Sequence, residues 1–395
     1  MRFAGSDLRV LHLHPTRRCN LRCLHCYSES GPAERDSIAP AAARSAVASA
    51  SRLGYTMLSV SGGEPLMYEG LWELLDQARR AGMVRAIVTN GVSLTPAVAA
   101  RLRDAVDVVA VSLDGPPDRH NHLRQHPAAF ERMEQGLAAL RVEGVRFKLL
   151  CSVSAESLAY LPWAASFAIQ QGASALQIHP IEPAGRAERL PRDAAPDETA
   201  LKAYLIAERL RQIWGEQLQV DVDIADLLPF ACDTGAPASC PSIVAGDDLS
   251  AVVSPLVIEP DGAVVPLRYG FSRAFAIGNI HEAPLDDLAR TWLASRARAF
   301  VALSRSALAA AAAGPCPFGN PYEIIANAAH GADVLTVRKS ERARPQPRGP
   351  RPEPSDVLAA SRGLRGAVLT PARVPPTVRT SCHAARDGAE SADLL

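Results

Sequence analysis

The chain has 395 residues, of which 48% are hydrophobic, and this predicts one large domain with an appendage, or two domains. Its 42 basic and 42 acidic residues balance to a formal charge of zero, so we expect neither a nucleic acid nor a membrane as a partner. The N-terminal residues lack the features of a signal peptide, and no apolar run approaches the roughly 20 residues of a membrane span. We therefore expect a cytoplasmic protein with reduced thiols.

Short apolar or β-branched runs alternate with longer helical stretches from residue 8 to about residue 225. The predicted strands are 8–14, 56–61, 84–89, 107–113, 145–153 and 175–180. The predicted helices are 39–53, 70–82, 95–105, 128–144, 161–172 and 197–217. This alternation predicts an α/β fold with a parallel sheet, a partial barrel of six βα units.

The pattern changes after residue 230. Two strands around an Asp261–Gly262 turn predict a hairpin within 252–267, and a helix is predicted at 284–300. We expect a barrel at 1–228 and a small α+β domain at 229–332. The Pro- and Arg-rich segment 333–395 has few large apolar residues and is predicted to be a disordered tail.

Three of the eight cysteines, Cys19, Cys23 and Cys26, fall within eight residues directly after the first predicted strand. In a reducing compartment such a C-x3-C-x2-C cluster indicates metal or redox chemistry. A structural zinc site would need four ligands, and no second cysteine pair lies at a suitable spacing; His25 could be a fourth ligand only with strain. An electron-transfer iron–sulfur cluster would also need four thiolates. Three thiolates on a 4Fe-4S cluster would leave one iron open for another ligand.

The triad resembles the signature of the radical S-adenosylmethionine (radical SAM) superfamily. The resemblance implies that the open iron of a 4Fe-4S cluster binds S-adenosyl-L-methionine, and that reduction releases a 5′-deoxyadenosyl radical that abstracts hydrogen from a substrate. It covers about residues 8–190 and also implies a TIM-like partial barrel. The cofactors would carry the difficult chemistry, while the protein positions them.

Other residues at the ends of predicted strands resemble cofactor contacts of this family. The stretch "SGGEP" resembles its GGE motif, so Gly62, Gly63 and Glu64 are predicted to hold the methionine ammonium. The two glycines would let the backbone approach the ligand closely. The remaining predicted cofactor-binding residues are Asn90, Ser112, Asp114, Arg124 and Ser152. A helix N-cap is the alternative for Asp114, and a solvated surface arginine is the alternative for Arg124.

The region 232–316 resembles the SPASM or Twitch extensions of radical SAM proteins, which usually bind auxiliary clusters. Leu267 stands where such an extension has a cysteine, so two complete auxiliary clusters are excluded on ligand count. One cluster on Cys232, Cys240 and Cys316 with a further ligand stays open. We favour a degenerate extension without a cluster.

The sequence therefore predicts a radical SAM enzyme with a 4Fe-4S cluster and S-adenosyl-L-methionine as cofactors. The expected partners are a peptide or small-molecule substrate and an electron donor such as flavodoxin or ferredoxin. Peptide maturation is the favoured activity. The alternatives are a radical SAM enzyme of tetrapyrrole or cofactor biosynthesis, and a non-catalytic iron–sulfur electron-transfer protein.

Overall fold

A ten-stranded sheet runs through the described part of the molecule. The computed structural model describes residues 8–191, 193–230 and 248–331, all within one unit, Met1–Arg342. The predicted disordered tail at 333–395, and Cys232 and Cys240, lie outside the described residues.

Strands β1 to β7 pair in chain order, and every pair is parallel. They are β1 Val10–Leu13, β2 Met57–Val60, β3 Val84–Thr89, β4 Val108–Leu113, β5 Phe147–Val153, β6 Ala175–Pro180 and β7 Gln219–Val222. The first six confirm the predicted strands to within three residues at each end. The seventh was not predicted, because its polar alternation, "QVDV", has too few apolar residues to stand out.

Helices connect the parallel strands. Their bounds are α1 Pro40–Arg52, α2 Leu71–Arg80, α3 Pro96–Ala105, α4 Pro117–Arg124, α5 Ala129–Val142, α6 Leu161–Gln170 and α7 Pro196–Trp214. Gly82, Gly144 and Gly172 follow α2, α5 and α6 with φ of 70°, 67° and 72°, the left-handed conformation that ends helices. The predicted helices are thus present, and α4 is an addition whose polar sequence gave no helical signal.

The two faces of the sheet differ in chemistry. Side chains of one face, among them Leu11, Leu58, Ile87 and Val109, are fully buried in the apolar core with the helices. The other face, which we call the inner face, carries polar groups at alternating positions. On β5 and β6 these include Lys148, Ser152, Gln177 and His179, all half-buried.

The C-terminal part extends the same sheet. Its strands and helices are β8 Ala225–Asp226, α8 Leu249–Val252, β9 Leu256–Ile258, β10 Ala263–Pro266, β11 Gly278–Asn279, α9 Leu285–Ser295, α10 Ala297–Ala312 and β12 Phe318–Gly319. A last helix covers residues 321–331. Strand β9 pairs in parallel with β1, and β9 and β10 form the predicted hairpin. The region predicted as a second domain therefore shares one sheet with the barrel, and its helix, predicted as one, breaks at Arg296.

Among the described helices, none combines the length and apolar character needed to cross a membrane.

Candidate functional site

The three clustered cysteines lie in the loop that follows β1. Cys19 is buried, whereas Cys23 and Cys26 are half-buried. The backbone N–H of Leu21 donates to the Cys19 sulfur at 3.4 Å, and the Ser28 hydroxyl lies 3.4 Å from the Cys26 sulfur. The loop thus gathers three thiols with polar hydrogens near two of the sulfur atoms.

Burial stabilises the protonated forms of Cys19 and Cys23. Burial raises the pKa of Cys19 to about 12. Burial also raises the pKa of Cys23, although Arg124 favours its thiolate. Cysteine binds metal only as a thiolate, and a bound metal supplies the positive charge that makes thiolates stable in such surroundings. The donor set therefore fits an iron–sulfur cluster.

The arrangement differs from a site for a single metal ion. Within the described part of the chain, no three His, Cys, Asp or Glu side chains converge on a point that could hold one ion. A structural zinc ion needs four such ligands. A 4Fe-4S cluster instead takes each thiolate on a different iron, so its ligands need not converge. His25 is not turned toward a metal with the cysteines; its Nε2 lies 3.6 Å from the Asp114 carboxylate.

Gly62 and Gly63 approach the cysteine loop itself. A Cβ on Gly63 would lie 2.2 Å from the carbonyl oxygen of Arg18, and one on Gly62 would lie 2.7 Å from that of Thr16. The N–H of Gly63 donates to Thr16 at 2.8 Å. We predicted that the glycines admit a ligand to the backbone; the close approach in the structure is to residues 16–18. The glycines thus fix the loop after β2 against the cysteine loop.

Glu64 is fully buried between the ends of β2 and β3. Its carboxylate accepts hydrogen bonds from the Thr89 hydroxyl at 2.8 Å, the Asn90 N–H at 2.9 Å and the Leu66 N–H at 3.2 Å. The Asn90 side chain in turn donates to Asn20 in the cysteine loop at 2.7 Å. Two predicted site residues, Glu64 and Asn90, are therefore joined to each other, and direct contact of either with a ligand stays a prediction.

Asp114 and Arg124 form a buried ion pair. Arg124 Nε lies 2.6 Å from Asp114 Oδ2. Burial alone would raise the pKa of Asp114, but Arg124 and His25 hold it well below its usual range. Neither alternative from the sequence applies, because Arg124 is buried and Pro116 takes the N-cap position of α4. Asp114 Oδ1 and His25 Nδ1 are buried without a hydrogen-bond partner among the described residues. Two polar atoms at the Asp114–Arg124 ion pair are therefore unpaired.

Ser112 and Ser152 complete the predicted set. Both are half-buried on the inner face, on β4 and β5. The Ser112 hydroxyl donates weakly to the Thr89 carbonyl at 3.4 Å. Ser152 pairs in register with His179 on β6. The structure thus brings every predicted residue to the carboxyl ends of β1 to β5, the edge where ligands bind in barrels.

Arg186, in the segment after β6, clamps the cysteine loop. Its Nε donates to the Cys23 carbonyl and its guanidinium donates to the Ser30 carbonyl, each at 2.7 Å. Its own N–H donates to the Cys26 carbonyl at 2.9 Å. Arg186 was not among the predicted site residues, because no residue pattern shows which backbone carbonyls an arginine will reach.

Five charged side chains gather where β6 and β7 end, and we call them the inner-face cluster. They are His179, Glu182, Asp223, Arg268 and Glu323. None of the five was a predicted site residue, although alternation in "LQIHP" and "QVDVD" places Gln177, His179, Asp221 and Asp223 on one face. The C-terminal part supplies Arg268 and Glu323, and no local signal connects these to the barrel.

Two contacts hold the inner-face cluster together. His179 Nδ1 lies 2.8 Å from Asp223, and Arg268 Nη2 lies 2.7 Å from Glu182. Burial lowers the pKa of His179, but the hydrogen bond and charge of Asp223 together with the charge of Glu182 outweigh this, so the pKa stands above its usual value. Burial raises the pKa of Glu323, and Arg268 opposes this in part. The His179 side chain is 29% exposed within this enclosed region, so a ligand on the inner face could touch it.

Comparison with known proteins agrees with this geometry. Residues 13–153 match the model of the Radical SAM superfamily. The chain is 29% identical to mycofactocin maturase MftC of Mycobacterium tuberculosis over 67% of this chain and 66% of that one. It is 26% identical to Fe-coproporphyrin III synthase of Methanosarcina barkeri over 57% of each chain. The chain thus spans about half to two thirds of these relatives.

Solved structures share the fold. SuiB of Streptococcus suis bound to S-adenosylmethionine aligns with a TM-score of 0.57 and 15% identity, covering 71% of this chain and 65% of that one. The protein anSMEcpe with bound AdoMet aligns with a TM-score of 0.56 and 18% identity, covering 84% of this chain and 95% of that one. Both support the partial-barrel fold with its extension.

Proposed function

Because this chain belongs to the radical SAM superfamily through its domain at residues 13–153, we propose that it is a peptide-modifying radical SAM enzyme. The observation that carries the proposal is the cysteine loop after β1. This loop is hydrogen-bonded to the Gly62–Gly63–Glu64 turn after β2 and to Arg186. The similarity to a maturase over two thirds of the chain supports the substrate class. Each relative we compare is named as a synthase or maturase, which disfavours a non-catalytic electron carrier.

Cys19, Cys23 and Cys26 would hold a 4Fe-4S cluster, with S-adenosyl-L-methionine beside it at the ends of β2 to β5. When bound, these groups would supply the radical chemistry that removes a hydrogen atom from the substrate. Glu64 and Asn90 connect the ends of β2 and β3 to the cysteine loop through hydrogen bonds. A small electron carrier such as flavodoxin or ferredoxin is the proposed reductant.

The buried ion pair of Asp114 and Arg124 would position the loop from the other side. Leu24 in the loop donates its N–H to the carbonyl of Leu123 in α4 at 2.8 Å, and His25 faces Asp114. Arg124 stabilises Asp114 as a carboxylate and favours the thiolate of Cys23. These residues thus fix the loop, and Arg124 among them favours the thiolate that a metal cluster needs, whereas Asp114 opposes it.

The proposal is tested by product formation. Protein reconstituted anaerobically with iron and sulfide, then given S-adenosylmethionine and dithionite, should form 5′-deoxyadenosine. The variant with Cys19, Cys23 and Cys26 all changed to Ala should form none. Cys151→Ala is the matched control, because Cys151 is a buried core thiol on β5. Absence of 5′-deoxyadenosine from the wild type, or its formation by the triple variant, would overturn the proposal.

Modification of a tetrapyrrole is the second candidate. The similarity to Fe-coproporphyrin III synthase favours it, and the fold and cofactors would be the same. The two candidates differ in what the inner face must bind, since a tetrapyrrole presents broad apolar faces and a peptide presents a series of amide groups.

The C-terminal part is proposed to lack an auxiliary cluster. Leu267 is buried in the apolar core, and its N–H donates to the Pro255 carbonyl at 2.8 Å. The Cys316 sulfur lies 3.4 Å from the carbonyl oxygen of Asp197. A leucine side chain cannot bind iron, and its packing supports a structural role for this position.

A further inference from the structure

Arg268 and Glu323 of the inner-face cluster both have polar side-chain atoms without a hydrogen-bond partner among the described residues. Within residues 8–191, 193–230 and 248–331, Arg268 Nε is buried without a hydrogen-bond partner. Arg268 Nη2 lies against Glu182, so the guanidinium is held in place while one N–H is unused. The half-buried carboxylate of Glu323 has no ion pair or hydrogen bond to another described residue. Arg268 Nε is therefore an unsatisfied buried donor, and Glu323 supplies a partly exposed acceptor in the same cluster.

A peptide unit offers the complementary pair, a carbonyl oxygen that accepts and an N–H that donates. We propose that the inner-face cluster binds the backbone of a peptide substrate, with Arg268 donating to a carbonyl oxygen and Glu323 accepting from an N–H. This inference rests on the proposed function and specifies where its substrate binds. His179, held by Asp223, lies next to these groups and lines the same space.

The position of the cluster suits a substrate of the cofactor site. His179 pairs in register with Ser152, a predicted cofactor contact, so the cluster adjoins the ends of β5 and β6 where the cofactor would lie. Arg268 and Glu323 come from the C-terminal part; Arg268 pairs with Glu182 of the barrel, and Glu323 is near enough to Arg268, Glu182 and His179 for their charges to act on it. A peptide held there would lie between the two parts of the unit, next to the cofactor.

The chemistry of the inner face disfavours a tetrapyrrole. Beside the cluster, β5 to β7 carry Lys148, Gln177 and Asp221 on the same face, and Lys148 donates to Gln177 at 2.6 Å. An apolar macrocycle placed here would remove water from ionised groups without offering them hydrogen bonds, which is unfavourable. Its carboxylates would also meet Glu182, Asp223 and Glu323.

The proposal is tested by equilibrium binding of two matched peptides to the reconstituted holoprotein with S-adenosylmethionine and no reductant. The probes are acetylated, amidated tetraalanine and the same peptide with every amide N-methylated. The binding of each probe is measured by saturation-transfer NMR. The wild type should bind the first peptide at least tenfold more tightly. Glu323→Ala should lose this preference, because the change weakens the binding of the first peptide and leaves that of the second unchanged. The double variant Arg268→Gln with Glu182→Gln should weaken the binding of both peptides. Glu182 is changed as well so that its carboxylate is not left without its ion-pair partner.

Glu282→Ala is the matched control, since Glu282 is exposed and lies outside the cluster; it should keep the full preference. Equal binding of the two peptides by the wild type, or a preference that survives in Glu323→Ala, would overturn the proposal. So would saturable binding of coproporphyrin III that Glu323→Ala alters. Because no reductant is present, these results do not depend on 5′-deoxyadenosine formation, which tests the proposed function separately.

Discussion

The Arg186 guanidinium donates to the carbonyl oxygen of Cys23 at 2.7 Å, across 163 positions of sequence. The contact ties the segment after the sixth strand to the middle of the cysteine loop. Gly185, beside it, permits this approach, because a Cβ there would lie 2.4 Å from the carbonyl oxygen of Tyr27. The cysteine loop is therefore shaped by residues at the far side of the barrel as well as by its own sequence.

Arg186→Ala should loosen the loop and make a bound cluster less durable. Two hydrogen bonds to carbonyls would be lost, together about 1–3 kcal/mol. We expect the visible iron–sulfur absorbance of reconstituted protein to bleach severalfold faster under a chelator. Arg189→Ala is the control, because Arg189 is exposed and its guanidinium pairs with Glu29 at 3.6 Å, away from the cysteine carbonyls. Equal bleaching of Arg186→Ala and wild type would show that the clamp is dispensable.

Glu64→Ala should destabilise the fold. The change leaves the Thr89 hydroxyl and the Asn90 N–H buried without an acceptor, at a cost of about 1–3 kcal/mol each. Urea unfolding measures this, with the exposed Glu69→Ala as its control. Unchanged stability together with weaker S-adenosylmethionine binding would instead assign the carboxylate directly to the ligand, as the GGE resemblance implies.

The iron content should be about four per chain, the content of one 4Fe-4S cluster. The triple change of Cys19, Cys23 and Cys26 to Ala should remove almost all of it. Iron analysis after anaerobic reconstitution gives both numbers. About four irons retained by the triple variant would reveal an auxiliary cluster, with Cys232, Cys240 and Cys316 as its first candidate ligands.

His179 should make stability depend on pH. Its pKa is raised in the folded state, where Asp223 and Glu182 oppose burial and Arg268, so its contribution is fully present below the unfolded value near 6.5. That contribution is lost as the pH rises through the folded-state pKa. Urea midpoints should therefore show wild type losing its advantage over His179→Gln as the pH rises above about 6.5. The exposed His122→Gln is the control, and a constant difference across this range would contradict the prediction.

The sequence predicted the six strands, their parallel order and the cysteine loop, because each depends on a local pattern of apolar residues or cysteine spacing. It did not predict what Glu64 or Gly63 contacts, since both contacts cross between strands. It also missed His179 and Asp223, which lie 44 positions apart and meet only once β6 and β7 are paired. Long-range side-chain partners follow from register, and register follows from the whole sheet.

The pairing of β9 with β1 also bears on how the protein can be shortened. Strand β1, which leads into the cysteine loop, lies between β2 and β9 and has both sides hydrogen-bonded. Without residues after about 228, β1 would become the unprotected border of the sheet, a row of free N–H and C=O groups open to other chains. A truncated barrel should therefore self-associate through β1, the strand nearest its cysteines. The C-terminal part thus prevents β1 from being an exposed edge strand.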